Sequence, residues 1–282
     1  MNKILDFKFS VCMSVYKNDK PEYVDIAIQS IFIKQTTKPN EIVLVVDGPI
    51  SEELESLIDS YALDYSEIFT IIKLEKNQGL GNALRVAVEK AKYDWIARMD
   101  SDDIAISDRF EKQIAFLQEN QDIDILGGQI TEFIDVESNV VGVRNVPLLP
   151  KDINDYIKAR CPLNHMTVML RKDKVLAVGN YIEWHYNEDY YLWIRMFLAG
   201  CQFANLPETL VNVRVGKEMY QRRGGWKYFL SEAKLQKYMF DNKIIGFIRF
   251  LYNILGRFVI QVLMPNKLRG FIFQKLFRVK RV

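Results

Sequence analysis

The chain contains few cysteines and no long uninterrupted apolar run. Its 282 residues include three cysteines, Cys12, Cys161 and Cys201, which are too few and too scattered for a disulfide framework or a zinc site. No stretch of about 18 uncharged apolar residues occurs, so no membrane-spanning helix is predicted. The first residues lack the apolar segment of a secretion signal. These absences predict a cytoplasmic protein whose thiols are buried and reduced.

Acidic residues are absent from the end of the chain. The sequence has 38 basic and 36 acidic residues in total, yet nine lysines and arginines and no aspartate or glutamate follow Asp241. The part that precedes Asn242 is therefore net acidic, which argues against nucleic-acid binding by the body of the protein. The uneven distribution predicts instead that the end of the chain contacts an anionic surface.

The spacing of polar residues near the end of the chain fits an amphipathic helix. At about 100° per residue, five polar residues would share one arc of about 120°. They are Lys243, Arg249, Asn253, Arg257 and Gln261. We therefore predict that residues 241–282 form a basic amphipathic tail in an anionic membrane interface, with its basic side outward, which makes the protein peripheral on the inner face of the cell membrane. A helix docked on the protein's own core, with the arginines solvated, is the alternative.

Strand-like and helix-like segments alternate through the first half of the chain. Apolar runs predict strands over residues 9–16, 41–46, 69–74, 93–99 and from 123 to 126. Helical periodicity predicts intervening helices over residues 21–35, 51–61, 79–92 and 107–120. Continuous apolar strands between helices are typical of a parallel sheet covered on both faces. The sequence therefore predicts an α/β protein with a mostly parallel sheet.

The second half of the chain is less regular, but no Ser/Gly-rich linker separates it from the first half. Strands are predicted over residues 140–146, 167–170 and 210–215, and a helix is predicted over residues 187–199. We therefore expect one continuous body with a mixed sheet.

Polar residues follow three successive strands of the predicted sheet. Asp47 follows the second strand, Asn77-Gln78-Gly79 follows the third, and a carboxylate cluster of Asp100, Asp102 and Asp103 follows the fourth. Doubly wound sheets bind their ligands at the carboxyl ends of the strands. One such signal is weak, because an Asp-Gly pair usually marks only a turn. Three in succession predict a ligand site at this edge.

The carboxylate cluster is compatible with several kinds of site. Like charges this close repel each other, and a metal ion is the predicted positive partner. The cluster lacks the Gly and Glu positions of an EF-hand loop. The Asp-x-Asp nucleophile of a phosphatase usually lies near the first strand, whereas three strands precede this cluster. The remaining interpretations are a Mg²⁺ or Mn²⁺ site for a diphosphate and a helix N-cap formed by Asp102 or Asp103.

A glycine pair after the third strand excludes one common cofactor. Gly79 and Gly81 begin a dinucleotide-like pattern, but Leu84 stands where the third glycine belongs, and the pattern does not follow the first strand. NAD binding is therefore rejected. A helix N-terminus led by Gly79 can still approach a phosphate or a ribose.

Six segments, in their order along the chain, resemble a known family. They are SVCMSVYKND, EIVLVVDG, KNQGLGNAL, DWIARMDSDD, NHMTVMLRK and NEDYYLW. The ordered set, over about residues 9–225, is similar to family 2 glycosyltransferases, and within them to bacterial enzymes that build repeat units of O-antigen, capsule or exopolysaccharide. The resemblance implies the GT-A fold. Residues 1–135 would be its nucleotide-sugar-binding half and residues 136–240 its acceptor-side and catalytic half, followed by the tail.

The resemblance implies a UDP-sugar donor at the predicted edge of the sheet. The residues implied in donor binding are Ser14, Val15, Tyr16, Asp47, Asn77, Gly79 and Asp100. Asp47 would accept a hydrogen bond from the uracil ring. Asp100 and Asp102 would form the Asp-x-Asp pair, with Asp102 reaching Mn²⁺ or Mg²⁺ on the diphosphate. Arg222 and Arg223 would cover the diphosphate or lie in a solvated loop.

The resemblance also implies a catalytic pair, Glu188 and Asp189, with Asp189 as the base. Inverting transfer needs a base to deprotonate the acceptor hydroxyl and a cation to stabilise the leaving diphosphate. Trp184 is a predicted acceptor contact, and His165 is either an acceptor contact or a structural histidine.

The expected activity is transfer of glucose, galactose or N-acetylglucosamine from a UDP-sugar to an undecaprenyl-diphosphate-linked sugar, forming a β linkage. The alternatives are a divalent-metal-dependent phosphohydrolase and a non-catalytic nucleotide-sugar-binding protein.

Overall fold

One mixed sheet organises the chain. The computed structural model describes residues 7–216 and 224–265. The strands in these ranges are β1 Phe9–Val15, β2 Glu41–Val46, β3 Phe69–Lys73, β4 Trp95–Arg98, β5 Ile104–Ala105, β6 Ile125–Phe133, β7 Val140–Arg144, β8 Met169–Arg171 and β9 Phe203–Arg214. Their order is β3-β2-β1-β4-β8-β6-β9-β5, and β7 pairs with β6. Strands from both halves share the sheet, which confirms the predicted mixed sheet; the boundaries at residues 135 and 240 stay predictions.

Helices flank this sheet. Their bounds are α1 Pro21–Ile31, α2 Glu52–Asp64, α3 Leu80–Lys90, α4 Arg109–Glu119, α5 Pro150–Tyr156, α6 Lys172–Ala177, α7 Glu188–Leu198, α8 Trp226–Asp241 and α9 Phe247–Phe258. A 3₁₀ turn over His165–Thr167 precedes β8, and a π-type turn over Val259–Leu263 follows α9. Helix α8 was not predicted from the sequence.

The two sides of β2 show why the helices lie where they do. Ile42, Leu44 and Val46 pack into a core shared with α1, α2 and α4. Val43 and Val45 point to the other face and pack into a core shared with α3 and α7. All five side chains are buried, because a parallel strand between two helical layers is apolar on both faces.

The parallel strands bring the predicted polar residues to one edge. Strand β1 pairs in parallel with β2 and β4, and β2 pairs in parallel with β3. The carboxyl ends of these four strands therefore point the same way. The antiparallel strand β8 pairs with both β4 and β6 and so joins the second half of the chain to the parallel part.

Part of the polar arc of helix α9 faces the body of the protein. Asn253 donates a hydrogen bond from Nδ2 to Oε1 of Gln236 at 2.8 Å. Arg257 forms an ion pair with Glu232 and donates a hydrogen bond to the carbonyl oxygen of Ala159 at 2.7 Å. The helix is thus docked on the body through its polar side.

This orientation corrects the prediction that the basic side of the tail helix lies outward. Lys243 and Arg249 are exposed, but Arg257, Asn253 and Gln261 face the body. Their partners come from α8 and from the end of the α5 region, which the helical spacing of the tail does not reveal. Residues 266–282 of the predicted tail lie outside the described residues. Within the described residues, no helix has the length and apolar character needed to cross a membrane.

Candidate active site

Hydrogen bonds to Asp47 hold the loop that follows β3 in place. Its carboxylate accepts hydrogen bonds from the backbone N–H groups of Gln78 at 2.7 Å and Gly79 at 3.0 Å, and from Nδ2 of Asn77 at 2.9 Å. A carboxylate offers about four acceptor positions, so these three bonds use most of them. The structure therefore places Asp47, Asn77 and Gly79 together as predicted, with Asp47 ordering the loop. Contact of these residues with a uridine stays a prediction.

The remaining predicted donor contacts lie at the same edge or outside the described residues. Ser14 and Val15 end β1, and the carbonyl oxygen of Val15 accepts a hydrogen bond from the backbone N–H of Asp47 at 2.8 Å. Tyr16 follows directly. Arg222 and Arg223 lie outside the described residues, so their predicted contact with a diphosphate stays a prediction.

Two glycines allow the close approach of chain segments around this loop. Gly48 has a φ of 85°, and a Cβ atom there would lie 2.5 Å from the backbone nitrogen of Asn77. Gly79 has a φ of 90°, and a Cβ atom there would lie 2.6 Å from a carboxylate oxygen of Glu183. Gly48 is therefore required both for backbone conformation and for space, and Gly79 for backbone conformation, since the Glu183 side chain could shift.

Glu183 occupies the N-terminal end of helix α3. Its Oε2 atom accepts a hydrogen bond from the backbone N–H of Gly81 at 3.0 Å. The carboxylate satisfies one free donor of the helix end and interacts favourably with the positive end of the helix dipole. The approach of a phosphate or ribose to this helix end stays a prediction, and Glu183 occupies one of the backbone donors there.

Asp47→Asn is expected to lower the free energy of unfolding by about 1–3 kcal/mol, because an amide nitrogen would then face N–H groups that donate to the carboxylate. Chemical denaturation monitored by circular dichroism measures this. Asp59→Asn is the matched control, since Asp59 is an exposed partner of Lys73 at 3.2 Å and its loss should cost less than about 1 kcal/mol. Equal stability of the two variants would show that the Asp47 contacts are dispensable.

The carboxylate cluster is partly neutralised by the protein itself. Asp100 forms an ion pair with Arg98, whose side chain is buried. Asp103 is buried and accepts a hydrogen bond from the backbone N–H of Arg214 at 2.9 Å. The sequence analysis expected a metal ion as the positive partner of the cluster, and for Asp100 the structure supplies an arginine instead. Arg98 ends β4 and Asp100 follows two positions later, so the pair is a local contact at the end of this strand.

Asp19 is a member of the cluster that the sequence analysis missed. Its Oδ2 atom accepts hydrogen bonds from Oγ of Ser101 at 2.9 Å and from the backbone N–H of Tyr16 at 3.0 Å. Burial raises the pKa of Asp19 to about 6, with a further contribution from the charge of Asp100. Its position just after β1, at the same edge of the sheet, is the signal that would have found it.

Asp102 is the exposed carboxylate of the cluster. Desolvation in the cleft, followed by repulsion from Asp100 and Asp19, raises the pKa of Asp102 to about 6. A divalent cation would relieve this repulsion, and carboxylate oxygens suit Mg²⁺ or Mn²⁺. Among the described residues, no group of three or more His, Cys, Asp or Glu side chains is arranged to hold a metal ion. The residues therefore fit an ion that takes one or two carboxylates and fills its other positions with ligand or water oxygens.

Glu188 and Asp189 begin helix α7. Oδ1 of Asp189 accepts a hydrogen bond from the backbone N–H of Tyr190 at 2.6 Å, and the Cys161 thiol donates to Oδ2 at 3.6 Å. Burial, followed by the charge of Asp189, raises the pKa of Glu188 to about 8. Burial also raises the pKa of Asp189, and the Tyr190 N–H and the charge of Arg144 oppose this rise. The pKa of Glu188 therefore lies above neutral pH, so Glu188 is the member of the pair that holds a proton there.

Arg98 acts on both groups of carboxylates. Its guanidinium pairs with Asp100, and its charge lowers the pKa of Glu188 and of Asp189. The Nε and Nη1 atoms of Arg98 have no hydrogen-bond partner among the described residues. The charge of one buried arginine therefore reaches both the Asp-x-Asp motif and the Glu-Asp pair, which are far apart in the sequence.

Glu188→Gln is expected to make stability less dependent on pH. Folding raises the pKa of Glu188 from an ordinary 4.5 to about 8, through burial and then the charges of Asp189 and Glu183, against the opposing charge of Arg98. The folded state thus binds the proton more tightly, so this group favours folding below pH 4.5 and loses that contribution as the pH rises to 8. Glutamine stays neutral throughout the range.

The melting temperature of Glu188→Gln relative to the native protein should therefore increase with pH. The increase should be roughly 2–4 °C for each kcal/mol of stability that the native protein loses as Glu188 ionises. Thermal unfolding across this pH range measures it. Glu53→Gln, on the exposed side of α2, is the control and should follow the native curve. Parallel curves for Glu188→Gln and the native protein would contradict the assignment.

The two predicted acceptor contacts are engaged with the protein. His165 is 8% exposed, and its Nε2 atom lies 2.9 Å from Oη of Tyr181. Trp184 donates from Nε1 to the carbonyl oxygen of Ser231 at 3.3 Å, and the Lys234 ammonium lies 4.4 Å from a ring centroid of Trp184. This placement favours the structural alternative for His165 and anchors Trp184 to α8. Direct contact of either residue with an acceptor stays a prediction that this geometry disfavours.

Solved structures share this fold. S. aureus TarS 1–349, in complex with UDP-GlcNAc, matches with a TM-score of 0.66 over 90% of this chain and 73% of that chain, at 18% sequence identity. The mannosyltransferase PcManGT from Pyrobaculum calidifontis, in complex with GDP-Man and Mn²⁺, matches with a TM-score of 0.61 over 94% of this chain and 72% of that chain, at 12% identity. The fold is therefore the GT-A fold of glycosyltransferases, as predicted.

Sequence comparison identifies the family. The family model described as Glycosyl transferase family 2 matches residues 10–177. The amylovoran biosynthesis glycosyltransferase AmsE of Erwinia amylovora is 39% identical over 267 residues, which cover 95% of this chain and 98% of AmsE. The UDP-Gal:alpha-D-GlcNAc-diphosphoundecaprenol beta-1,3-galactosyltransferase of Escherichia coli is 38% identical over 273 residues, covering 96% and 97%. The chain belongs to glycosyltransferase family 2.

Proposed function

We propose that this glycosyltransferase moves a hexose from a UDP-sugar to an undecaprenyl-diphosphate-linked sugar in the synthesis of a bacterial surface polysaccharide. The donor sugar is glucose, galactose or N-acetylglucosamine, and inversion gives a β linkage. The names of two full-length relatives support this class of reaction, since one acts in amylovoran biosynthesis and the other transfers galactose to a GlcNAc-diphosphoundecaprenol. The observation that carries the proposal is that two carboxylate groups, the Asp-x-Asp motif and the Glu188-Asp189 pair, are both within reach of the charge of Arg98.

The carboxylates after β1 and β4 form the donor end of the proposed site. Asp102 is the exposed member, and desolvation, followed by repulsion from Asp100 and Asp19, raises the pKa of its carboxyl to about 6. Asp102, with Asp100, would hold Mn²⁺ or Mg²⁺, which supplies charge stabilisation to the leaving diphosphate when it is bound. Asp47 and the loop that it orders would receive the uridine.

Asp189 forms the base end of the proposed site. The Tyr190 N–H and the Cys161 thiol orient its carboxylate, and Glu188 carries the proton of the pair near neutral pH. Asp189 is therefore available to take the proton of an acceptor hydroxyl as that oxygen attacks the sugar carbon opposite the departing UDP. Glu188, when protonated, keeps a second negative charge away from the attacking oxygen.

A donor screen tests the proposal. The purified protein is incubated with UDP-glucose, UDP-galactose or UDP-N-acetylglucosamine and with a synthetic GlcNAc- or GalNAc-diphosphate lipid, and products are identified by mass spectrometry. One donor should add a single hexose or N-acetylhexosamine, and NMR should show a β anomer. UDP binding without any product would indicate a non-catalytic binding protein, and phosphate release without transfer would indicate a phosphohydrolase.

The proposed acceptor requires a membrane partner. An undecaprenyl chain is held in a bilayer, so the enzyme would work at the inner face of the cell membrane. Nine basic and no acidic residues after Asp241 support attraction to anionic lipid.

A further inference from the structure

The outward side of helix α9, together with the start of α8, is apolar, whereas the other exposed positions of α8 include Lys234 and Lys237. Its most exposed large side chains include Trp226 at the start of α8 and Phe247, Ile248, Leu251, Tyr252 and Leu255 of α9. Ile248 is 85% exposed and Tyr252 is 72% exposed. On a helix, the five α9 residues fall within one arc of roughly 140°. We call this surface the outer face; contiguous exposed apolar surface of this kind marks a place of interaction.

The outer face is held in place by contacts on the opposite side of the helices. Arg257 pairs with Glu232 of α8, and Asn253 donates to Gln236 of the same helix. Beyond α9, the carbonyl oxygen of Gln261 accepts a hydrogen bond from the backbone N–H of Gly225 at 2.8 Å. These polar contacts fix the rotation of α9, so its apolar side points away from the body without any ligand.

Charge and side-chain chemistry indicate what covers the outer face. Lys243 and Arg249 are exposed near it, and no acidic residue follows Asp241. A second copy on this face would bring two strongly basic segments together, whereas anionic headgroups complement them. Trp226 and Tyr252 combine an apolar ring with a polar edge, which is the kind of side chain enriched at membrane interfaces.

We propose that the outer face inserts into the headgroup region of an anionic bilayer and docks the enzyme there with α9 lying along the membrane surface. The choice of a bilayer rests in part on the proposed function, which requires a lipid-linked acceptor. Because α9 is already folded and attached through its polar side, docking needs no coil-to-helix transition. The basic residues add an attraction that salt weakens, and the apolar side chains add one that salt does not weaken.

The test compares two charge-matched double variants of the full chain. Ile248→Glu with Leu255→Glu places two carboxylates in the outer face. Leu63→Glu with Leu149→Glu places them at exposed apolar positions elsewhere, 82% and 63% exposed. Both variants change the net charge equally. Binding is measured by co-sedimentation with vesicles of phosphatidylethanolamine and phosphatidylglycerol, at low and high salt.

The outer-face variant should lose at least about tenfold in vesicle affinity at both salt concentrations, because carboxylates oppose burial in the interface. The control should stay close to the native protein. Unchanged binding of the outer-face variant, or absence of native binding, overturns the proposal. The proposal is also overturned if the native protein is a dimer and the outer-face variant is a monomer whose vesicle binding is unchanged. A second copy would then cover the face.

Two further measurements distinguish a failure of this proposal from a failure of the proposed function. Brominated lipids should quench the tryptophan fluorescence of the native protein, and Trp226→Phe should remove most of this quenching. If the quenching persists in Trp226→Phe, the placement of Trp226 in the bilayer is wrong. Far-ultraviolet circular dichroism should not change on vesicle binding, and a large gain in helix would overturn docking by a preformed face. Transfer to a water-soluble acceptor should be unaffected in the outer-face variant. A native protein that binds vesicles but transfers no sugar would refute only the proposed function.

Discussion

Asp189→Asn is expected to reduce transfer by about 10²–10⁴-fold, the usual contribution of a general base, while UDP binding stays near the native value. The amide keeps the shape of the side chain, and its oxygen can still accept from the Tyr190 N–H. It cannot take a proton from the acceptor hydroxyl. Single-turnover transfer and calorimetric titration with UDP measure the two quantities separately.

Glu188→Gln is the matched comparison for this result. Glu188 is already protonated near neutral pH, so a neutral amide should preserve far more activity than Asp189→Asn does. If Glu188→Gln is the more damaging substitution, the roles of the two carboxyl groups are exchanged. Retention of more than about a tenth of the native rate in Asp189→Asn would remove Asp189 as the base.

Asp102→Asn is expected to lower metal-dependent transfer by about 100-fold or more, because stabilisation of the leaving diphosphate by the ion is worth several kcal/mol. Binding of UDP in the presence of Mn²⁺ should weaken as well, unlike in Asp189→Asn. Rates with Mn²⁺, with Mg²⁺ and with EDTA measure the effect. In the native protein, EDTA should abolish transfer and added Mn²⁺ should restore it.

Asp108→Asn provides the control for a lost carboxylate close to the cluster. Asp108 is partly exposed and pairs with Lys112 at 2.8 Å within one turn of α4. Its replacement should change stability by less than about 1 kcal/mol and leave metal dependence intact. Full native activity in EDTA would eliminate the metal role of Asp102 altogether.

The parallel core could be read from the sequence because its strands are apolar on both faces. Residues 41–46 were predicted as a strand, and β2 spans Glu41–Val46. The run is bounded by Asn40 and by Asp47-Gly48, so both ends carry a turn signal. Helix α1 was predicted to extend to residue 35 and ends at Ile31, because helix ends depend on local contacts that the apolar period does not encode.

The start of strand β9 could not be predicted from the apolar pattern. Its predicted start was residue 210, whereas the strand begins at Phe203 and continues through Pro207. A proline in a strand normally argues against that strand, and here the pairing with β6 shifts register between Gly127 and Gln129. The tertiary pairing therefore overrides the local pattern.

The polar residues at strand ends were predictable, but most of their partners were not. Parallel topology alone brings Asp47 and Asp102 to one edge. Glu183 reaches the N-terminus of α3 because the second half of the chain packs against that helix, and Cys161 reaches Asp189 through packing within the second half. Such contacts join residues that are far apart in sequence, and no spacing rule of helices or strands encodes them.

Arg98 gives the two ends of the site a common charge, and this has a thermodynamic consequence. A cation that neutralises part of Asp100 adds positive charge and frees the guanidinium to act more strongly on Glu188 and Asp189, so protons dissociate from that pair more readily. Linkage is reciprocal, so loss of a proton from the pair must tighten binding of the cation by the same factor. In the proposed site, donor binding and ionisation of the base would therefore reinforce each other, and a metal-bound donor would be held most tightly in the protonation state that is ready to react.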